Sequence, residues 1–285
     1  MKRLSVIADL VKYKLSLAVT LSAMTGYFIS GMAVTFSFIL LLIGIFLLSS
    51  GAAALNQFAE KISDANMERT MNRPIPGERI SAGSALNISV FLLVAGSAFL
   101  LNTGIIPFLL GLLAVLLYNL VYTWLKKVTL MSVIPGALVG AIPPLIGFTS
   151  AGGILPQREI ILFSIFMFLW QLPHFWLILI RFGKEYRKAG FKTFSEGFTG
   201  KRIRGLVFIW VILTTSLLAL FSSRGLIFNR VLNLALIVSN LFFILLFYSI
   251  LFGKDENRSV KAAFILINSF SFIVMIFFIV NSLMR

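Results

Sequence analysis

The sequence predicts an all-α integral membrane protein built from nine transmembrane helices. Three observations lead to this prediction: 59% of the 285 residues are hydrophobic, only 12% are charged, and 29 are phenylalanine. Soluble domains have about 45–50% apolar and about 25% charged residues, so this composition excludes that class. Disordered chains are excluded as well, because they contain few aromatic residues. In a bilayer the backbone must satisfy its own hydrogen bonds, and long apolar stretches do so as helices.

Nine apolar stretches follow one another along the chain, each close to the ~20 residues that a helix needs to cross a bilayer. They centre on residues 15–34, 36–56, 82–101, 104–124, 130–149, 159–180, 205–222, 231–252 and 262–282. The second ends in the small residues Gly51–Ala54, which allow close helix approach. The fifth contains prolines, the sixth contains the one histidine, and the last three are defined by hydropathy alone.

The positions of the basic residues predict the orientation of this bundle. With nine spans, 21 of the 25 Lys and Arg residues fall on the side of the N-terminus. Basic residues concentrate in cytoplasmic loops, so we expect a cytoplasmic N-terminus and an external C-terminus. The net charge of +15 is therefore mostly topological, and no nucleic-acid partner is expected.

The acidic residues gather in two cytoplasmic loops of a single membrane domain, residues 1–285. Loops 57–81 and 181–204 hold six of the ten acidic residues. Clustered ionisable groups in a membrane protein indicate a functional region, so we expect these loops to carry the site. The chain has no cysteine, which excludes thiol nucleophiles and thiolate ligands.

The residues at the end of the second stretch have the spacing of a metal site. Asn56, Glu60 and Asp64 are four residues apart, and on a helix each step drifts by only about 40°, so all three share one face. Carboxylate and amide oxygens are hard ligands, and Mg²⁺ binds through a few such groups together with substrate phosphate oxygens. The sequence therefore predicts a magnesium site at the cytoplasmic end of this helix.

Two arginines follow this set and favour a phosphate substrate. Arg69 and Arg73 are one turn apart, and guanidinium groups bind diphosphate oxygens in pairs. We expect the helix to end at Pro74. The alternative is a solvated helix whose charges only pair with each other. Asn56 disfavours this alternative, because burying an amide without a hydrogen-bond partner at the apolar end would cost free energy.

The segment from Asn56 to Pro74 resembles a motif of a known protein family. The string Asn56-x3-Glu60-x3-Asp64-Ala-x-Met-x-Arg69-Thr-x-x-Arg73-Pro resembles the first acidic motif of the UbiA superfamily of intramembrane prenyltransferases. Three further segments are most similar to its protohaem IX farnesyltransferase (haem O synthase) branch. They cover residues 122–147, the Trp170-Gln-Leu-Pro-His174-Phe-Trp sequence and the Glu185-Tyr-Arg-Lys-Ala-Gly sequence.

The resemblance implies a Mg²⁺-dependent transfer of a farnesyl group from farnesyl diphosphate to a vinyl group of haem B. The product would be haem O, for haem–copper oxidase biogenesis, in the plasma (inner) membrane of a bacterial-type cell. Association with haem A synthase or with oxidase assembly proteins is compatible with this role. The implied site residues are Asn56, Glu60 and Asp64 for Mg²⁺, Arg69, Arg73, Lys126, Lys127 and Arg181 for the diphosphate, His174 for haem, and Glu185 in the second acidic loop.

Departures from the family pattern limit what is carried over. Glu185 stands where an aspartate is expected and position 189 is alanine, so we expect one Mg²⁺ held mainly by the first motif. On residue chemistry alone, His174 beside Pro173 is best explained as the hydrogen-bond partner of a carbonyl freed by the proline kink. The resemblance instead favours haem ligation.

The sequence leaves three other functions open. A UbiA-type transferase with an aromatic or quinone-precursor acceptor is disfavoured by His174 and by the reduced second acidic loop. A transporter with a cytoplasmic-side cation site is disfavoured because transporters place such groups at mid-membrane, without clustered arginines. A non-catalytic assembly factor would tolerate the loss of Asn56 or Asp64.

Overall fold

The computed structural model describes residues 2–192 and 200–284, and within these ranges every regular element is helical. Eleven α-helices follow in order: α1 Lys2–Leu10, α2 Tyr13–Ile29, α3 Phe36–Ala65, α4 Ala82–Leu101, α5 Ile105–Leu116, α6 Thr123–Val128, α7 Val133–Ser150, α8 Arg158–Lys188, α9 Gly200–Ser223, α10 Arg230–Leu251 and α11 Glu256–Leu283. A π-helical segment, Leu117–Tyr122, joins α5 to α6, and a 3₁₀ turn, Leu130–Ser132, precedes α7. The predicted all-α membrane class is confirmed.

Within the described residues, eight helical segments are long and apolar enough to cross a membrane. They correspond to the second to ninth predicted stretches. The first stretch corresponds to α2, which has only 17 residues, so the count of nine spans stays a prediction. Apolar side chains on the outside of the bundle are widely exposed, as a lipid-facing surface requires; Val231, Leu245 and Phe91 are examples.

Two helices run well beyond their predicted spans. α3 has 30 residues and continues through the acidic motif, and α8 has 31 residues and ends at Lys188, inside the predicted loop 181–204. Residues 193–199 of that loop lie outside the described residues. The prediction that the α3 helix ends at Pro74 was wrong. α3 ends at Ala65, and the chain then turns back because Thr70 Oγ1 donates to the Asp64 carbonyl oxygen and Arg73 reaches the Asp64 carboxylate.

Small residues bring the helices of the first half together, as predicted for Gly51. A Cβ added there would lie 2.8 Å from the backbone nitrogen of Leu93 on α4. Gly147 on α7 is closer still to α2, since an added Cβ would lie 1.7 Å from the carbonyl oxygen of Ala23. α2 and α7 therefore touch through their backbones.

The second half packs through large side chains instead. A phenylalanine-rich core joins α8, α9, α10 and α11, with Phe163, Phe221, Phe247 and Phe278 buried in it. Between this core and the glycine-packed first half a cavity remains, bounded by α2, α3, α5, the π-helical segment, α7 and α8. The site lies in this cavity.

Candidate functional site

The cavity has a volume of about 340 Å³, and its charged side chains pair with one another in one group, the polar end. Most of the other lining side chains, from α2, α3, α5, α7 and α8, are apolar, as Leu15, Ile45, Val115 and Ile146 are. Ser49, Gln171 and His174 are polar members of the lining. At the polar end, four basic side chains face two carboxylates and one amide, namely Lys12, Arg69, Arg73, Lys126, Glu60, Asp64 and Asn56. The excess of positive charge suits an anionic ligand with an apolar tail.

The three predicted metal ligands lie on one face of α3 and all line the cavity. Asn56, Glu60 and Asp64 are only 2%, 4% and 1% exposed. Thr123 fixes the amide, because Asn56 Nδ2 donates to Thr123 Oγ1 over 3.1 Å and this leaves Oδ1 toward the basic groups.

Each of these three oxygen-bearing groups is paired with a cation. Lys12 Nζ donates to Asn56 Oδ1 over 3.0 Å, and Lys126 forms an ion pair with Glu60. Arg73 Nη1 donates to both carboxylate oxygens of Asp64, over 2.8 and 2.7 Å. Buried charges persist only when they are paired in this way.

Lys12 is the main site residue that the sequence analysis missed, since it was counted only toward topology. It occupies the turn between α1 and α2 with φ 47° and ψ 53°, a left-handed conformation that is uncommon for a lysine. Gln57 holds this turn, because its Nε2 donates to the carbonyl oxygens of Asp9 and Leu10. Burial, together with the nearby charge of Arg73, lowers the pKa of Lys12 to about 7. A bound anion would favour its charged form.

Arg69 connects the two predicted acidic segments. Its backbone N–H donates to Glu185 Oε2 over 3.0 Å, and its Nη2 donates to the Tyr186 hydroxyl over 3.1 Å. The guanidinium also lies over the ring of Phe182, at 5.1 Å from the centroid. Glu185 does not line the cavity, so in this structure it positions Arg69.

Two predicted diphosphate contacts lie away from the cavity. Lys127 is exposed at the end of α6, and Arg181 is exposed on α8 with its guanidinium 4.8 Å from the Phe182 ring centroid. Neither lines the cavity, whereas Lys126 does. On a helix, neighbouring residues point about 100° apart, which separates Lys127 from Lys126.

The π-helical segment turns two tyrosines into the cavity. Tyr118 and Tyr122 stack with their ring centroids 5.9 Å apart, and the Tyr118 hydroxyl donates to Asn56 Oδ1 over 3.3 Å. Asn119, between them, donates to the Val115 carbonyl oxygen of its own helix and lies outside the cavity wall. π-helical turns are rare and frequently occur at functional sites.

His174 lines the cavity from α8. Its Nδ1 lies 2.9 Å from Asn268 Oδ1 on α11, and the rings of Trp170, Phe175 and Phe264 surround it at centroid distances of 5.0 to 5.6 Å. The carbonyl partner expected from the proline kink is not the one observed, because Nδ1 bonds to a side chain of another helix.

The donor set at the polar end fits Mg²⁺. Within residues 2–192 and 200–284 no three His, Cys, Asp or Glu side chains come together, so the protein can supply two carboxylates and the Asn56 amide oxygen. That set is short of the six oxygens that Mg²⁺ requires, and phosphate oxygens of a substrate or waters would complete it. Basic groups that now pair with the three ligands would then be free to contact the phosphates.

In the ranges that the structure describes, the protein is a helical membrane protein with a cavity in which four basic side chains meet two carboxylates. The chain matches the model of the UbiA prenyltransferase family over residues 19–279, and it belongs to that family. A protoheme IX farnesyltransferase from Flavobacterium psychrophilum is 31% identical over 287 aligned positions, covering 97% of this chain and 94% of the relative. One from Geobacter sulfurreducens is 38% identical, covering 66% and 71%.

Solved structures show the same fold. A digeranylgeranylglyceryl phosphate synthase superimposes over the whole of both chains with a TM-score of 0.79 and 16% identity. A UbiA homologue from Archaeoglobus fulgidus, bound to GPP and Mg²⁺, matches with a TM-score of 0.74 and 18% identity, over 97% of this chain and 99% of that one.

Proposed function

We propose that this protein transfers the farnesyl group of farnesyl diphosphate to a vinyl group of haem B, giving haem O. The observation that carries the proposal is a cavity lined by four basic side chains, many apolar side chains and one histidine. The protoheme IX farnesyltransferases that match along the chain support the choice of donor and acceptor. Membership of a prenyltransferase family supports the reaction type.

The basic residues at the polar end bind the diphosphate of the donor. Arg69 and Arg73 offer forked guanidinium groups, and Lys12 and Lys126 offer point charges in the same cavity. As the C1–O bond of the donor breaks, its electron pair leaves with the diphosphate, and these four cations stabilise the charge that develops there. We also keep Lys127 and Arg181, which were predicted from the sequence, as proposed contacts of the diphosphate.

Asn56, Glu60 and Asp64 would hold one Mg²⁺ at this end, as their donor chemistry and the Mg²⁺ bound by the A. fulgidus homologue suggest. When bound, the ion would act as a Lewis acid on the diphosphate.

The remaining walls protect the allylic cation that is left behind. The stacked rings of Tyr118 and Tyr122 offer π faces beside the carboxylates, and the apolar walls hold the isoprenoid chain and exclude water. The haem vinyl group then attacks carbon one of the farnesyl group. Water adds to the resulting cation and loses a proton, so the product is haem that carries an added farnesyl group and an added hydroxyl group. His174 orients the haem.

We also propose the orientation and location of the protein. Nine spans, with α2 as the first, place the N-terminus and the polar end of the cavity at the cytoplasmic face. A plasma (inner) membrane of a bacterial-type cell fits the bacterial relatives, and contact with haem A synthase or oxidase assembly proteins would deliver the product.

The direct test incubates membranes that contain the protein with haem B, farnesyl diphosphate and Mg²⁺, followed by liquid chromatography and mass spectrometry of the extracted haems. We expect a product with the mass of haem plus a farnesyl group and a hydroxyl group, and none when Mg²⁺ is chelated. Farnesyl found only on an added aromatic acceptor would overturn haem as the acceptor. The proposed diphosphate-binding role of the cavity would still stand. Unchanged substrates would favour the transporter.

Replacing Lys12 tests the residue that the sequence analysis missed. In Lys12→Met the stem is kept and the ammonium is lost, so we expect the KM for farnesyl diphosphate to rise by about tenfold, the effect of one charge-assisted hydrogen bond. Initial rates over a range of donor concentrations measure this. Lys14→Met, two residues along and exposed, is the matched control and should keep the wild-type KM. An unchanged KM in Lys12→Met would exclude Lys12 from diphosphate binding.

A further inference from the structure

The last helix holds the imidazole of His174 through one asparagine. Asn268 Oδ1 lies 2.9 Å from His174 Nδ1, and Asn268 Nδ2 donates to the carbonyl oxygen of Phe264 one turn earlier on α11. This second bond fixes which way the amide points, because a reversed amide would set its oxygen against a carbonyl oxygen. A further bond between the two helices, from Trp170 Nε1 to the Ile267 carbonyl oxygen over 3.0 Å, holds α8 and α11 in register.

The orientation of the amide decides which imidazole nitrogen carries the proton. An amide oxygen only accepts hydrogen bonds, so His174 Nδ1 is the donor. A neutral imidazole has one N–H, and Nε2 is therefore left with its lone pair. Within the part of the chain that the structure describes, Nε2 has no hydrogen-bond partner, and His174 lines the cavity.

The surroundings of the ring suit a flat, metal-containing acceptor. Three aromatic rings contact the imidazole, and most of the side chains that line the cavity with it are apolar. Metal-binding histidines characteristically donate their second N–H to a fixed acceptor, which sets the tautomer and the ring orientation. Asn268 supplies that acceptor here.

We propose that Asn268 is a positioning residue that keeps His174 in its Nδ1-protonated tautomer and presents Nε2 as an axial ligand of the haem iron. The proposal rests on the proposed function for its ligand, haem B. It also gives the last span a role in the site, which hydropathy alone did not indicate.

The tautomer is directly measurable because the chain has one histidine. Protein labelled with ¹⁵N-histidine gives a single pair of ring nitrogen signals in magic-angle-spinning NMR. We expect a protonated Nδ1 and an unprotonated Nε2 in the wild type, and loss of this preference in Asn268→Leu. The same tautomer in wild type and in Asn268→Leu would overturn the proposal.

Ligation is measured by titrating ferric haem B into the purified full-length protein without a prenyl donor. We expect a histidine-ligated absorption and EPR spectrum that disappears in His174→Ala. In Asn268→Leu the haem Kd should rise by about tenfold or more, the usual effect of losing the partner of a ligating histidine. Asn268→Asp keeps an acceptor for Nδ1–H and should retain the ligated spectrum.

A matched control separates positioning from folding. Asn240→Leu removes another buried amide, which donates to the Thr215 carbonyl oxygen away from the cavity, and should leave the haem spectrum unchanged. The same haem absorption and EPR spectrum in wild type and in His174→Ala would overturn the proposal, because the chain has no other histidine. If farnesyl transfer to haem persists in that case, the proposed function stands. If ligation depends on both residues but no farnesyl is transferred, the proposed function fails and the ligand assignment stands.

Discussion

Asp64→Asn is expected to lower the rate of farnesyl transfer by about 100- to 1,000-fold, the usual effect of removing one preorganised electrostatic group from an active site. The change keeps the shape of a side chain that is 1% exposed but removes its charge. A neutral amide oxygen binds Mg²⁺ less strongly than a charged carboxylate, so the concentration of Mg²⁺ needed for half-maximal rate should rise too. Initial rates by mass spectrometry, measured across a range of Mg²⁺ concentrations, test both effects.

The structure offers a closely matched control for this substitution. Asp9 also pairs with an arginine, Arg79, at 2.9 Å, but the side chain of Asp9 is about half exposed (47%) and lies outside the cavity. Asp9→Asn should therefore retain the wild-type rate and Mg²⁺ dependence, since surface ion pairs contribute little. A wild-type rate in Asp64→Asn would show that the charge of Asp64 is not needed for the reaction. An equal loss in both variants would indicate a general charge effect.

The sequence was sufficient to predict the parts of the site that depend on local spacing. Asn56, Glu60 and Asp64 share one face because α3 is a regular helix, and the four-residue spacing determines that arrangement. The apolar stretches were found because each is long enough for the bilayer. These predictions required no knowledge of which helices are neighbours.

The features that the sequence analysis missed depend on tertiary contacts. Lys12 reaches Asn56 across 44 positions, and Asn268 reaches His174 across 94, so no local pattern indicates either pair. Lys127 and Arg181 were assigned from charge and resemblance, but both are exposed outside the cavity. α3 ends at Ala65 rather than at Pro74 because the buried Asp64 carboxylate binds Arg73, which lies nine positions further along the chain, and the chain must turn for the two to meet.

Gly147→Ala is expected to have the largest effect on stability, because the new Cβ would meet backbone rather than a movable side chain. Built at this position it lies 1.7 Å from the carbonyl oxygen of Ala23, so α2 and α7 must separate. Overpacking of this kind costs about 1–3 kcal/mol or more. We expect a clear drop in the melting temperature in detergent, and little monodisperse protein for Gly147→Leu. Size-exclusion chromatography after heating measures both.

The same substitution elsewhere should have the opposite sign. At Gly205, on α9, nothing lies within 4 Å of an added Cβ, so Gly205→Ala should stabilise the protein by up to about 1 kcal/mol through helix propensity. Separation of α2 from α7 also moves the turn that carries Lys12. Gly147→Ala protein that remains folded should therefore show a raised KM for farnesyl diphosphate, as Lys12→Met does. A melting temperature and a KM equal to those of Gly205→Ala would contradict the backbone contact between α2 and α7.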